Sequence, residues 1–331
     1  MLKFSQKSIE GKVAKTISEN SLILPKEKIA VAVSGGSDSI CLLEILYRLQ
    51  EKHDFNLLAC HFNHKLRGLA SDRDQGFVEK FCEKRGIELI TGEAEAANLY
   101  KSEEIARDFR YSFFEKFLRE GRADKIAIAH NQNDLAETFL LRLLRGSGLR
   151  GLQGMPLARP GFIRPLLYIS RNEIEQFLEE NRLASRLDAT NLLTTYSRNR
   201  LRLETIPALM SHNPNLIGTL SANAKIMADD YIYLEREAQK GLAEIIEVEN
   251  RDKIILNYEK WLLLPASLQR LTLRLAISRI DNLIDISNVQ ILEVEQLLKR
   301  KIGKKFKLLP HSLRISLEAG KIVLTLQNKE K

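Results

Sequence analysis

Ser34-Gly35-Gly36-Ser37-Asp38-Ser39 is the stretch that decides the fold of this chain. The apolar run Ile29-Ala30-Val31-Ala32-Val33 precedes it, and apolar residues at helical spacing follow it from Ile40 to Leu49. This pattern predicts a strand, a tight turn and a helix. Glycines let the backbone approach a ligand, and the first turn of a helix carries N–H groups and partial positive charge. The stretch is therefore typical of an anion-binding turn, in which Ser37 or Asp38 can cap the helix.

This turn lacks the lysine that a Walker loop requires. It resembles instead the pyrophosphate loop of the N-type ATP pyrophosphatases, which hold the β- and γ-phosphates as a leaving unit while the α-phosphate reacts. The resemblance implies that ATP is a substrate and that Mg²⁺ bridges its phosphates, with Asp38 as the metal ligand, because hard cations prefer oxygen. An ordinary glycine turn between a strand and a helix is the alternative. The residues implied in ATP binding are Ser34, Gly35, Gly36, Ser37, Asp38 and Ser39.

Length and composition indicate a globular protein with two domains. The chain has 331 residues, of which 44% are hydrophobic and 28% charged. Its longest apolar runs fall far below the ~18 residues that span a bilayer, and its N-terminus lacks the apolar region of a signal peptide. We therefore expect a cytoplasmic protein without membrane association.

The cysteine spacing bears on disulfides and metal sites, and the net charge bears on binding partners. Cys41, Cys60 and Cys82 are widely spaced and form no C-x-x-C pair, so they indicate core packing instead of a disulfide or a thiolate metal site. The net charge of +8 favours a polyanionic partner.

Strand and helix patterns alternate through the first half of the chain, which predicts a doubly wound parallel sheet of the α/β class. The second predicted strand has His61 near its end, and the polar loop that follows it contains His64. Ligands of such sheets bind at the carboxyl ends of the strands, so these histidines could contact the nucleotide; a loop bonded to itself is the alternative. Strands are predicted at 29–33, 56–62, 87–91 and 125–130, and helices at 5–19, 71–85 and 102–118.

Two polar constellations lie farther along this half. Arg107 and Arg110 share one face of the helix that Ser102 can cap, and they could bind an anionic group or be solvated. His130 ends a predicted strand. Asp134 and Glu137 follow it at i, i+3 and face the same way, so they could hold an ammonium group or a metal. The alternative is that these acids only stabilise the helix, because negative charge is favourable at its N-terminus.

Further motifs follow in a fixed order, and together with the turn they identify a family. They are Leu140 to Leu152 with its arginines, Ile163-Arg164-Pro165-Leu166-Leu167, Asp188-Ala189-Thr190-Asn191, and Tyr196 to Arg202. Over about the first 210 residues the chain resembles the tRNA(Ile)-lysidine synthetases. Those enzymes use ATP to adenylate carbon 2 of the wobble cytidine of a tRNA(Ile) with a CAU anticodon and replace AMP with the side-chain amine of free L-lysine. Asn131 departs from the pattern, because many relatives have a second histidine there.

The resemblance assigns roles to residues of this chain. Asp38, His130 and Asp134 are implied in catalysis, with Asp134 as the candidate general base. Arg110, Asp134 and Glu137 are implied in binding lysine, and His64 joins the loop residues in binding ATP. The tRNA is expected to contact Arg142, Arg145, Arg198, Arg200 and Arg202, for which solvated helix surfaces are the alternative.

The C-terminal part predicts a long helix and a small α+β domain. Apolar residues recur at spacings of three and four from Ile217 to Leu234, which favours packing against the chain's own C-terminal domain; a homodimer seam is the alternative. The predicted division is a catalytic domain at 1–213, a connecting helix at 214–246 and a tRNA-binding domain at 247–331, as in the short form of the family. Its basic cluster contains Lys299, Arg300, Lys301, Lys304, Lys305 and Lys307, a candidate tRNA contact or a solvated run.

Three competing hypotheses remain at this point. A tRNA 2-thiolation enzyme would use the same ATP chemistry on the same carbon, but the three cysteines are badly placed for sulfur relay or an iron–sulfur cluster. An amidotransferase-type synthetase shares the turn and lacks the other motifs. An inactive tRNA-binding module is disfavoured by the presence of Asp38, Asp134 and Glu137.

Overall fold

The structure is a computed structural model. It describes residues 5, 7–63, 65, 69–93, 103–186, 196–281, 286–300 and 306–327. Among these residues, none of the helices is long and apolar enough to cross a lipid bilayer. The chain divides into two compact units, one of residues 1–141 and 154–224 and the other of residues 142–153 and 225–331. The domain division predicted from the sequence stays a prediction.

The first unit is built on a six-stranded sheet with the order β3-β2-β1-β4-β6-β5. All neighbouring strands pair in parallel except β5 and β6, which form an antiparallel hairpin. The chain moves from β1 outward to β3 on one side and then to β4 on the other, so the sheet has a topological switch point between β1 and β4. The strands are β1 (Lys28–Ala32), β2 (Asn56–Asn63), β3 (Glu88–Glu93), β4 (Lys125–Ala127), β5 (Ala158–Arg159) and β6 (Phe162–Ile163).

Helices cover both faces of this sheet, because alternate residues of each strand point to opposite sides. Ile29 and Val31 of β1 pack with α1, α2, α3 and α7 in one core, whereas Ala30 belongs to the other core, with Phe114 and Phe117 of α4. The doubly wound α/β fold is confirmed. The helices of the first unit are α1 (Ile9–Glu19), α2 (Ser37–His53), α3 (Leu69–Glu83), α4 (Glu103–Arg119), α5 (Gln132–Leu144), α7 (Arg171–Glu180), α8 (Tyr196–Arg200) and α9 (Ile206–Met210). Between them in the chain, α6 (Leu149–Leu152) belongs to the second unit, and α10 (Leu216–Ile245) lies mostly in that unit.

The three cysteines lie where the sequence places them, inside these cores. Cys41 and Cys82 belong to the first core and Cys60 to the second, and all three are buried free thiols. Core packing is therefore confirmed as their role in the fold.

The second unit contains a five-stranded antiparallel sheet with the order β7-β8-β11-β10-β9. Its core surrounds Trp261, which is fully buried and donates its indole N–H to the carbonyl oxygen of Gln269 at 3.1 Å. The smaller α+β domain is thus confirmed as a fold. Its elements are β7 (Ile246–Asn250), β8 (Lys253–Asn257), α11 (Tyr258–Leu263), α12 (Ala266–Ile280), α13 (Asn288–Lys299), β9 (Phe306–Leu309), β10 (Leu313–Glu318) and β11 (Lys321–Leu326).

The long helix α10 matches the predicted connecting helix closely. Ala224 and Tyr231 of its predicted seam are buried, and Leu242 and Ile245 continue the seam into the core of the second unit. The chain itself therefore buries part of this seam. The homodimer stays a prediction.

Candidate active site

The backbone of the turn after β1 has a conformation that depends on glycine. Gly35 has a φ of +90°, a conformation that glycine adopts readily and side-chain-bearing residues do not. Its carbonyl oxygen accepts a hydrogen bond from the backbone N–H of Arg186 at 2.9 Å. The carbonyl group of Gly35 is therefore tied to the protein on one side of the turn.

Two serines brace the inside of the turn. Ser39 accepts a hydrogen bond from the backbone N–H of Ser34 at 3.2 Å and donates its hydroxyl to the carbonyl oxygen of Gly36 at 2.9 Å. The helix begins at Ser37 with Gly36 as its N-cap, and no side chain caps it. The prediction that Ser37 or Asp38 caps α2 is therefore wrong. Because Gly36 has no side chain, the N–H groups of the first turn are left for a ligand, which suits an anion.

The backbone of the turn can be tested by a glycine pair. Gly35→Ala is expected to lower the free energy of unfolding by about 1–2 kcal/mol, because alanine is strained at this φ. Gly76→Ala, in the interior of α3 with open space around it, is expected to raise it by about 0.5–1 kcal/mol. Chemical denaturation of both variants checks this. Equal effects of the two substitutions would contradict the strained turn.

The carboxylate of Asp38 is partly buried beside Arg171 and Asn131. Its side chain is 24% exposed, and Nη2 of Arg171 lies 3.9 Å from its Oδ2. Its Oδ1 is buried without a hydrogen-bond partner among the described residues. Burial and the neighbouring charge of Asp134 raise the pKa of Asp38 to about 6. A carboxylate in this setting fits a cation.

Arg171 was not predicted as a site residue. It begins α7, and its backbone N–H donates to Oδ1 of Asn133 at 3.1 Å. The sequence did contain a signal for this helix, since Ser170 and Glu173 form a capping box. A helix predicted from that motif would have placed an arginine at its first turn.

Asn131 and Asp134 fix the start of α5 beyond β4. The backbone N–H of Asn131 donates to Oδ2 of Asp134 at 3.0 Å, and the backbone N–H of Asp134 donates to Oδ1 of Asn131 at 3.1 Å. Asparagine is among the best N-cap residues. The residue that departs from the family pattern therefore still holds the Asp134 carboxylate in place.

Glu137 is the most buried carboxylate of the site. It is 2% exposed and receives two hydrogen bonds from Arg202, from Nε at 2.7 Å and from Nη2 at 2.9 Å. Nη2 of Arg202 also lies 3.7 Å from Asp134, and Nε of Arg198 lies 3.4 Å from Glu137. The predicted acid pair is thus brought together with Arg198 of α8 and with Arg202 of the π-helical turn Leu201–Thr205 that continues it, a segment called the α8 region below.

That arrangement was not foreseen from the sequence, which assigned Arg198 and Arg202 to tRNA alone. Their spacing of four residues places them on one helix face, as the spacing of three does for the acids. Two such faces can meet as a charge pair, and this complementarity is the signal that could have found it.

His130 lies three residues beyond the end of β4, so the predicted strand was three residues too long. Its Nδ1 accepts a hydrogen bond from Nε of Arg164 at 3.1 Å. Burial and the charges of Arg164, Arg110, Arg107 and Arg198 lower the pKa of His130 to about 3. His130 is therefore neutral in a cationic environment, and its catalytic role stays a prediction.

His61 lies at the same edge of the sheet. It is 5% exposed, and its Nδ1 donates to the carbonyl oxygen of Val33 at 2.8 Å. It therefore links β2 to the residue that precedes the turn, and its contact with the nucleotide stays a prediction. His64 lies outside the described residues, and its nucleotide contact stays a prediction.

The remaining predicted tRNA contacts are surface or second-unit residues. Arg142 donates to the carbonyl oxygen of Gly151 at 2.8 Å, Arg145 is exposed, and Arg200 is exposed and pairs with Glu204 at 3.2 Å. In the basic cluster, Lys299 pairs with Glu295 and Lys307 with Glu293. Lys301, Lys304 and Lys305 lie outside the described residues. All these tRNA roles stay predictions.

Comparison with known proteins places this geometry in a family. Residues 5–209 match the PP-loop domain, an ATP-binding domain. The chain is 36% identical to a tRNA(Ile)-lysidine synthase of Clostridium acetobutylicum over 96% of its own length and 70% of the relative's. The chain belongs to the tRNA(Ile)-lysidine synthase family. A relative from Clostridioides difficile is 33% identical over the same shares of the two chains.

The fold extends beyond this family. A solved U34-tRNA thiolase of Methanococcus maripaludis, which carries a [4Fe-4S] cluster, matches 66% of the chain and 78% of its own with a TM-score of 0.56 and 21% identity. At this identity the likeness shows the fold alone. It confirms the parallel-sheet architecture that the turn predicts.

Proposed function

We propose that this protein is a ligase that joins free L-lysine to carbon 2 of the wobble cytidine of a tRNA(Ile) with a CAU anticodon, forming lysidine and releasing AMP and pyrophosphate. The observation that carries the proposal is the pairing of two features at one edge of the sheet. An uncapped phosphate-binding turn follows β1, and the acid pair Asp134 and Glu137 follows the neighbouring strand β4. One feature suits ATP and the other an amine.

The first step transfers AMP to the base. Oxygen 2 of the cytosine attacks the α-phosphorus, the new P–O bond forms, and the bond to the bridging oxygen breaks so that pyrophosphate leaves. Ser34, Gly35, Gly36, Ser37 and Ser39 hold the departing phosphates through the turn and the helix N-terminus. Asp38 would hold Mg²⁺, which neutralises charge on the phosphates when bound. The unpartnered Oδ1 of Asp38 supports this assignment.

The second step replaces AMP with lysine. The neutral side-chain amine attacks carbon 2, the C–N bond forms, and the bond to the AMP-bearing oxygen breaks. Asp134 accepts the proton that the amine gives up, and Glu137 and Arg110 position the amino acid. An acid pair stabilises the charged ammonium, so these residues bind lysine in its protonated form. The ammonium loses its proton only once the adenylated cytosine is present.

Arg202 has a part in this scheme. It donates a hydrogen bond to each oxygen of Glu137. An ammonium group that reaches Glu137 has to share or displace that arginine.

Arg142, Arg145, Arg198, Arg200 and the lysines of the C-terminal cluster would contact tRNA phosphates, and a tRNA substrate would place the protein in the cytoplasm.

AMP formation tests the proposal directly. ATP is incubated with a CAU-anticodon tRNA(Ile) and, in parallel, with lysine, ornithine, arginine or no amino acid. We expect lysine-dependent incorporation of the amino acid into tRNA with one AMP released per lysine. AMP release without incorporation of any amino acid would contradict the lysine step and retain the adenylation step.

The 2-thiolation hypothesis finds little support in the described residues. Among them, no group of three or more histidine, cysteine or acidic side chains could hold a metal cluster. Cys41 and Cys82 are buried in one core of the sheet and Cys60 in the other. Mg²⁺ needs no such group, since one or two carboxylates and the phosphates suffice.

A further inference from the structure

Two histidines at the same sheet edge carry opposite hydrogen-bond patterns. Nδ1 of His61 lies 2.8 Å from the carbonyl oxygen of Val33, which can only accept, so the proton of His61 is on Nδ1. Nδ1 of His130 lies 3.1 Å from Nε of Arg164, which can only donate, so Nδ1 of His130 is bare. The proton of a neutral His130 is therefore on Nε2. The partner of one ring nitrogen fixes the role of the other.

Arg164 is held firmly enough to impose this choice. It is 5% exposed, and its Nη1 donates to the carbonyl oxygen of Pro156 at 2.7 Å. Its guanidinium also lies close to the side chain of Tyr111. A buried guanidinium anchored at several points cannot turn away without leaving those groups unpaired.

The charges around His130 act in the same direction. Burial lowers the pKa of His130, and so do the charges of Arg164 after β6, Arg107 and Arg110 of α4, and Arg198 of α8. This setting disfavours an imidazolium and attracts an anion. The described residues include no recorded hydrogen-bond partner for Nε2 of His130, which leaves that N–H for a ligand.

We infer that Arg164 is a positioning residue that holds His130 as the neutral tautomer protonated on Nε2, so that His130 donates a hydrogen bond to a phosphate oxygen of the reacting ATP and does not act as a base. The tautomer stands on the geometry alone. The phosphate contact rests on the proposed function.

The tautomer is tested by NMR on the full-length protein labelled with ¹⁵N-histidine. His61→Gln and His130→Gln assign the two signals. We expect an unprotonated Nδ1 for His130 and a protonated Nδ1 for His61, both unchanged between pH 6 and 8. In Arg164→Met, His130 is expected to show mixed tautomers and a higher pKa, while Arg164→Lys, which keeps a donor, restores part of the wild-type pattern. A protonated Nδ1 in wild-type His130 would overturn the inference even if Arg164→Met failed to fold.

Arg159→Met is the matched control. Arg159 stacks on the ring of Tyr111 at 4.9 Å and on Phe162 at 4.1 Å, as a neighbour of Arg164 that has no recorded contact with His130. We expect the signals of His130 to be the same in this variant as in the wild type. A change as large as that of Arg164→Met would show a general packing effect and overturn the specific role of Arg164.

The donor role is tested by AMP formation. The amide nitrogen of glutamine can replace Nε2–H as a donor but cannot serve as a base. We expect His130→Ala to reduce the rate of AMP formation by about 10²–10³-fold, the usual cost of one lost oxyanion donor. The fold reduction in His130→Gln is expected to be less than a tenth of that in His130→Ala. Equal losses would overturn the donor role. Absence of AMP formation in the wild type would instead refute the proposed function and leave the NMR result intact.

Discussion

Asp38→Asn is expected to reduce tRNA-dependent AMP formation by about 10²–10³-fold, because the substitution removes the only charge that the turn offers to a phosphate-bound cation. Affinity for tRNA is expected to stay near its wild-type value, since Asp38 is not itself among the predicted tRNA contacts. A discontinuous AMP assay and a tRNA filter-binding assay check the two expectations. Activity that survived would refute the assignment of Asp38 as the metal ligand.

The same substitution is expected to stabilise the ligand-free protein. Because the folded-state pKa of Asp38 is about 6 and the unfolded-state value is about 3.9, the folded protein binds the extra proton between these values. The free energy of unfolding then falls as the pH rises from about 4 to 6. Asp38→Asn removes this loss. The free energy of unfolding of the variant therefore equals that of the wild type below pH 4 and exceeds it by at most about 3 kcal/mol above pH 6.

Asp229→Asn is the control for this stability effect. Asp229 is an exposed residue of α10, and its substitution should leave both the AMP assay and the pH dependence of unfolding close to wild type. Denaturant unfolding of the three proteins at pH 4, 5, 6 and 7 gives the comparison. A pH profile of Asp38→Asn parallel to that of the wild type would contradict the raised pKa.

Glu137→Gln is expected to raise the KM for lysine by about 10–150-fold, the cost of losing one hydrogen bond to a charged group. Adenylation of the tRNA is expected to persist, because the first step does not involve the amine. The substitution also removes the nearer carboxylate partner of Arg202, which then has only Asp134 of the acid pair, at 3.7 Å. We expect a loss of about 1–3 kcal/mol in the free energy of unfolding.

Glu204→Gln is the matched control, since Glu204 pairs with Arg200 at 3.2 Å with both side chains largely exposed. Such a pair contributes less than about 1 kcal/mol, and the KM for lysine should not change. Steady-state lysine incorporation and single-turnover AMP formation separate the two steps. A Glu137→Gln variant with a wild-type KM for lysine would remove Glu137 from the lysine site.

The local motifs were predictable because each encodes its own geometry. A glycine turn between an apolar run and a helical pattern specifies where the phosphates can bind, and the spacing of Asp134 and Glu137 specifies their common face. Short elements were missed for the opposite reason. The hairpin of β5 and β6 has two residues in each strand, too few to show a period, and it forms only against the existing sheet.

The sequence by itself determined the nucleotide-binding fold, the family and the acid pair, because these depend on residues that are neighbours along the chain. The tertiary structure decided which cations meet those acids and that histidine. Arg202 reaches Glu137 across 65 residues, and Arg164 reaches His130 across 34. Such pairs depend on how β4, β6 and the α8 region come together in the fold, and no period or propensity in either segment records its partner.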